Sequence, residues 1–278
     1  MRNTIGNSWA LVKASAGVLN TDRALLLFPL LSGVATVGLV LSFIFPVMLF
    51  GGVEVLAGQR PMAGGVLLFL FYLVQYFIAF YFNAALVGAA LIHLDGGRPT
   101  LSEGLRIASD HAVPLLGYAA ISATVGLILN SIARKSGIGG RLVSGALGIG
   151  WSLATFLAVP VLVTRDIGPV GAIRESAALL KKSWGEQITG KVGMGLVFGA
   201  AAFVMGIVTV LLMTFGAVAG PLSMVPTIVF LVILWILFAV VTAALRGVFQ
   251  AAVFRYAVTG AGGEGFEGVP IGEVIRTR

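Results

Sequence analysis

Few side chains in this chain could carry chemistry, and the densest group of them is His93, Asp95, Glu103, Asp110 and His111. Imidazoles and carboxylates together are a donor set that a divalent metal would take. Their spacing matches no metal motif, and His and Asp near helix ends ordinarily cap the helix or face water, so no metal is expected. The absence of cysteine removes thiolate nucleophiles and Cys-based metal sites. There is no HExxH, no glycine-rich phosphate loop ending in Lys-Ser/Thr and no Gly-x-Ser-x-Gly elbow. The expectation is a protein that is not an enzyme and takes no cofactor.

What remains is a set of polar groups inside apolar runs: Gln75, flanked by Tyr72 and Tyr76, then Asn83, and Gln250 with Arg246 one turn before it. An amide left unpaired in hydrocarbon is costly, so each must face protein or water. Hydrogen bonding between helices is the expected role. A polar-lined cavity is the alternative, with Tyr76, Phe80 and Asn83 on one face as its best wall. Arg246 is expected to snorkel to the headgroups. No carboxylate falls in the central part of any apolar run, which argues against a proton-coupled carrier built on a buried acid.

The elements that hold these groups follow from composition. Of 278 residues 58% are hydrophobic and 10% charged, and the mean hydropathy is +1.04, whereas soluble chains carry about a quarter charged residues. This is the composition of an integral membrane protein. Apolar runs long enough to cross a ~30 Å core predict spans at about 24–50, 66–94, 113–133, 143–164, 192–218 and 225–256. A short polar helix is expected at 100–111. Two amphipathic segments stand apart. Residues 168–191 carry Val170, Ile173, Ala177, Leu180, Trp184 and Ile188 at steps of three and four, with Arg174, Lys181 and Lys182 mostly off that stripe. Residues 3–22 repeat the pattern with Ile5, Trp9, Val12, Ala16 and Leu19. Basic faces bordered by Trp suit the headgroup region.

The expected fold is therefore all-α and polytopic: six transmembrane helices as three hairpins, each preceded by a cytoplasmic amphipathic interfacial helix. One domain, 1–259, divides into tandem units 1–95, 96–165 and 166–259, with a flexible cytoplasmic tail at 260–278. Short similarities suggest the repeat. Ser15-Ala16-Gly17-Val18-Leu19 resembles Ser176-Ala177-Ala178-Leu179-Leu180, and Phe82-Asn83-Ala84-Ala85 resembles Phe249-Gln250-Ala251-Ala252; the middle unit offers Trp151-Ser152-Leu153-Ala154. Of the eighteen basic residues, only Arg60, Arg134, Lys135 and Arg141 fall on the side opposite the termini, so the positive-inside rule places both termini in the cytoplasm. The net charge of +7 is spread over short connections without aromatic interleaving, so anionic lipid is the expected partner and nucleic acid is not. Lys13, Arg23, Arg106, Arg174, Lys181, Lys182 and Trp184 are the headgroup candidates. Gly195 and Gly199, with Ala85 and Gly88, are expected at close helix contacts, within one chain or in a homo-oligomer.

Several segments together resemble a known family. They are Leu25-Leu26-Leu27-Phe28-Pro29-Leu30-Leu31-Ser32-Gly33, Tyr81-Phe82-Asn83-Ala84-Ala85-Leu86, Trp151-Ser152-Leu153-Ala154-Thr155-Phe156 with Val159-Pro160-Val161, and Ser183-Trp184-Gly185-Glu186-Gln187. They look like the prokaryotic integral membrane family catalogued as domain of unknown function 6159. More loosely, the alternation of amphipathic and spanning helices is similar to the membrane domain ahead of some glycerophosphodiester phosphodiesterases, whose catalytic domain is absent here. The resemblance implies a multi-pass protein of a prokaryotic plasma membrane and transfers no catalytic residues. The function expected is a scaffold or membrane-organising component on anionic inner-leaflet lipid; the alternative is a small-solute pore or permease lined by polar residues of the second and sixth spans.

Overall fold

Every regular element among the described residues is helical. In order they are α1 (Arg2–Thr21), one 3-10 turn (Arg23–Leu26), α2 (Leu27–Leu49), α3 (Pro61–Leu94), α4 (Leu101–Asp110), α5 (Ala112–Lys135), α6 (Gly137–Ala154), α7 (Ala158–Thr164), α8 (Pro169–Trp184), α9 (Gly193–Val218) and α10 (Pro221–Thr259). The computed structural model describes residues 2–49, 61–135, 137–184, 193–218 and 220–267, with backbone alone at 2–8, 46–49, 61–63, 135, 138, 183–184, 193–197 and 221. Six segments are long and apolar enough to cross a membrane: Arg23–Phe45, Gly64–Leu94, Ala112–Arg134, Gly139–Thr164, Phe198–Val218 and Leu222–Thr259. The protein is an all-α, polytopic helical membrane protein.

Local chemistry sets the helix ends. Thr100 and Glu103 form a capping box at α4, with Thr100 Oγ1 accepting from the Glu103 amide at 3.2 Å and Glu103 accepting from the Thr100 amide at 2.9 Å. Gly220, at φ 103°, turns the chain between α9 and α10, and Pro221 then opens α10 as its first residue. Gly260, in the left-handed conformation, closes it.

Consecutive spanning helices pack in pairs, α2 on α3, α5 on α6 and α9 on α10, and α3 lies at the centre against α2, α4, α5, α7 and α10. Burial is uneven along these helices. The core is gathered at one end of the molecule, from Ala84–Ala90 of α3, Leu157–Val163 around α7, and Ala244–Phe254 of α10, closed by Leu11, Val18 and Leu19 of α1. Toward the other end the helices present apolar side chains outward, such as Val37 and Leu41 on α2, Leu147 on α6, and Phe203, Phe215, Val229 and Ile233 on the last pair. Lipid tails are the solvent for such surfaces.

Two expectations are revised, the fourth span and the start of the tail, and the buried faces of α1 and α8 are defined. The fourth span, expected as one helix over 143–164, is divided into α6 and α7 by residues 155–157. The bundle-facing side of α1 is Leu11, Ser15, Val18 and Leu19, while Trp9 is 61% exposed and Ala16 is exposed. On α8 the buried line is Ala172, Ser176 and Leu180, with Val170 52% exposed. Small side chains stand within both buried faces, Ser15 on α1 and Ala172 and Ser176 on α8; they allow close approach of two helices, and a hydrophobicity stripe does not register them. The start of the expected flexible tail is also ordered: at 261–267 the Glu264 amide donates to Leu94 O at 3.0 Å and Phe266 is 3% exposed. Residues 268–278 lie outside the described residues.

Candidate functional site

Two of the three amides of the apolar runs, Asn83 and Gln250, are best understood from Pro160. Proline has no amide N–H, so the carbonyl of Phe156, four residues earlier, loses its helical donor. The chain breaks there. The Phe156 amide donates to Leu153 O at 3.1 Å and the Ala158 amide to Thr155 O at 3.0 Å, a tightened turn in which the amide of Leu157 finds no carbonyl partner. Two side chains from other helices complete the broken backbone. Gln250 Nε2 of α10 donates to Phe156 O, and the buried hydroxyl of Ser176 on α8 accepts from Leu157 N at 2.9 Å. Gln250 Oε1 in turn accepts from Asn83 Nδ2 of α3 at 3.1 Å. One hydrogen-bonded node thus joins α3, α10, the α6–α7 break and α8.

Small residues make the node reachable. Ala84, Ala85, Ala158, Ala251 and Ala252 are fully buried beside it. Gly247 lies against Leu86, whose Cγ would be 2.7 Å from a Cβ at that position. On the outer side of α3, a Cβ on Gly104 of α4 would stand 2.8 Å from Ala85 O and would collide with Phe28, and a Cβ on Gly88 would stand 2.9 Å from Ile107. Ala85 and Gly88 therefore sit at the α3–α4 contact. Gly199 has no atom within 4 Å of a would-be Cβ, and the surroundings of Gly195 lie outside the described residues.

The remaining polar candidates are dispersed. Gln75 Nε2 donates to Thr36 Oγ1 of α2 at 3.3 Å. Tyr72, Tyr76 and Phe80 form an aromatic ladder that ends on Tyr118 of α5, with Phe80 and Tyr118 stacked at 4.3 Å between centroids. The Tyr76–Phe80 face is thus covered by protein. Arg246 is exposed on α10 with its guanidinium 4.9 Å from the ring centre of Phe198, a cation–π contact.

The end of the molecule that carries α1, α4 and α8 has ionic contacts at its rim. Asp22 Oδ2 lies 2.6 Å from the buried His93 Nδ1, Arg255 Nε donates to Asp95 at 2.8 Å, and Arg165 pairs with Glu175. His111 Nδ1 lies 2.8 Å from Ile107 O. The His and acidic residues of this stretch are thus divided among separate contacts, and no group of three that could hold a metal occurs among the described residues. The Thr100 amide and hydroxyl hold Glu103 below the ordinary carboxylate range. Lys13, Arg23, Arg106, Arg174, Lys181 and Lys182 are all exposed and make no ion pair among the described residues. The side chain of Trp184 lies outside the described residues.

Residues 62–266 match the family of unknown function DUF6159. The chain belongs to this family. Asn83, Phe156, Pro160, Ser176 and Gln250 all fall within the DUF6159 match, whereas α1 and α2 precede it. Comparison with curated proteins and with solved structures finds no match. Within this DUF6159 chain, Pro160, Phe156 and Ser176 are the node residues that periodicity alone does not single out; a proline inside an apolar run, followed by a serine on an amphipathic helix, is the signal that marks them.

Proposed function

We propose that this protein is a non-enzymatic scaffold of the plasma membrane, with both termini cytoplasmic, whose helices α1, α4 and α8 lie at the inner interface and engage anionic lipid. The observation that carries this reading is the outward face of these helices. Trp9 and Lys13 on α1, Arg106 on α4, and Val170 and Arg174 on α8 are exposed, and apolar side chains beside cations suit the boundary between tails and headgroups. Depth agrees. The third helix runs about 50 Å at 1.5 Å per residue against a ~30 Å core, and α4 crosses it near its end, between Tyr81 and Gly88.

The same positions support the tandem repeat. Lys13, Arg106 and Arg174 are exposed, and two residues later Ser15, Ala108 and Ser176 are buried. The node supports a structural role for Asn83 and Gln250, since both amides are engaged with protein groups; the pore reading draws on no comparable observation.

The test uses the full chain in nanodiscs of mixed phosphatidylcholine and phosphatidylglycerol, with lipids retained on extraction counted by mass spectrometry. Lys13→Glu, Arg106→Glu and Arg174→Glu combined are expected to abolish the enrichment of phosphatidylglycerol while leaving the melting temperature within a few degrees. Enrichment undiminished in the triple variant would overturn the lipid reading.

A further inference from the structure

We propose that α1 is a releasable clasp, which closes the three helix pairs into a ring at their cytoplasmic end and opens before the rest of the fold. This inference does not depend on lipid binding. Its starting point is a difference in how α1, α4 and α8 are seated. The other two pack on the helices just before them in the chain, α4 on α3 and α8 on α7. Helix α1 packs instead on α9 and α10, a pair far from it in the chain. Every pair therefore has one such helix against it, and the first and last parts of the chain are joined only by tertiary contact.

The seat of α1 repeats the others at the residue level, with one defect. Leu11, Gly104 and Ala172 are buried at corresponding places, and Ser15, Ala108 and Ser176 follow four residues later, also buried. The Ser176 hydroxyl has a task, because the break at Pro160 leaves the Leu157 amide free for it. Helix α10 is unbroken at Gln250, the residue level with that break, so its amides are spent within the helix. Ser15 Oγ is accordingly buried with no hydrogen-bond partner among the described residues, which weakens this seat relative to that of α8.

Two contacts hold the clasp shut from outside the helix. Beyond α10 the chain folds back at 261–267, where the Glu264 amide donates to Leu94 O, a Cβ on Gly265 would stand 3.0 Å from Val18, and Phe266 is buried in the shared core. At the end of α1, Asp22 is tied to His93 at the end of α3. Anything that draws away the segment bearing Phe266 would free the C-terminal half of α1 without disturbing the node.

Hydrogen exchange followed by mass spectrometry, on the full chain in nanodiscs, tests this with peptides from 9–21 (α1), 101–110 (α4) and 169–182 (α8). The α1 amides are expected to exchange at least tenfold faster than those of α8. Phe266→Ala should accelerate α1 about tenfold more, with α4 and α8 unchanged, and Ser15→Ala should slow α1 several-fold by removing the unpaired hydroxyl. Asp22→Asn provides the same acceleration if Phe266→Ala does not fold. Uniform exchange of the three helices, or a Ser15→Ala variant that exchanges as fast as or faster than the parent, would overturn the proposal, and neither outcome bears on lipid enrichment.

Discussion

At the scale of residues, the node makes a chemical claim that can be separated from general packing. Gln250 stands in for the donor that Pro160 lacks, and Asn83 orients Gln250 by donating from Nδ2 to its amide oxygen Oε1. Gln250→Leu leaves Phe156 O and Asn83 Nδ2 both unsatisfied, whereas Asn83→Leu leaves only Gln250 Oε1. The expected losses are about 1–3 kcal/mol for the first and less for the second, read from unfolding in detergent. Pro160→Ala returns an amide to the helix, so the Gln250→Leu loss should shrink in that background. An equal loss with and without Pro160 would show that Gln250 acts by packing alone.

At the scale of elements, α4 is short and polar and depends on its ends and one flank. Its capping box supplies the start, and Gly104 lets it approach α3 at Ala85. Glu103 is held below its ordinary value by Thr100. A carboxyl with a depressed folded-state value stabilises fully above its unfolded-state value, and the contribution is lost as pH falls through the folded one. Acidification through that window should therefore loosen α4 before α8, seen as faster exchange of its amides. Thr100→Ala should remove most of that pH dependence; unchanged dependence would mean that another group is responsible.

At the scale of the whole molecule, the core and the apolar arms should respond differently to truncation. Leu162 of α7 is fully buried in the core, and Leu162→Ala is expected to cost about 2–5 kcal/mol. Phe203, 71% exposed on α9, projects away from the core, and Phe203→Ala should change the melting temperature in detergent by no more than a degree or two. Comparable losses at both sites would mean that the outer halves of the helices are packed against further protein.

How much of this was legible in the sequence follows from the range of each force. Hydropathy is summed over neighbours in the chain, so the six spanning segments and the all-helical class could be read without coordinates, and the Asn83 and Gln250 amides stood out against their apolar surroundings. The turn chemistry of Thr100 and Gly220 is equally local. Helix contact is not. Which face of α1 or α8 is buried was decided by partners more than a hundred residues away in the case of α1, and the buried faces take in the small Ser15, Ala172 and Ser176 together with Leu11, Val18, Leu19 and Leu180. The level of the node was likewise settled in three dimensions, with Phe156 rather than Trp151 brought to Gln250 and Asn83, because an unpaired carbonyl in a low-dielectric interior is satisfied by whichever donor the packing of other helices carries to it.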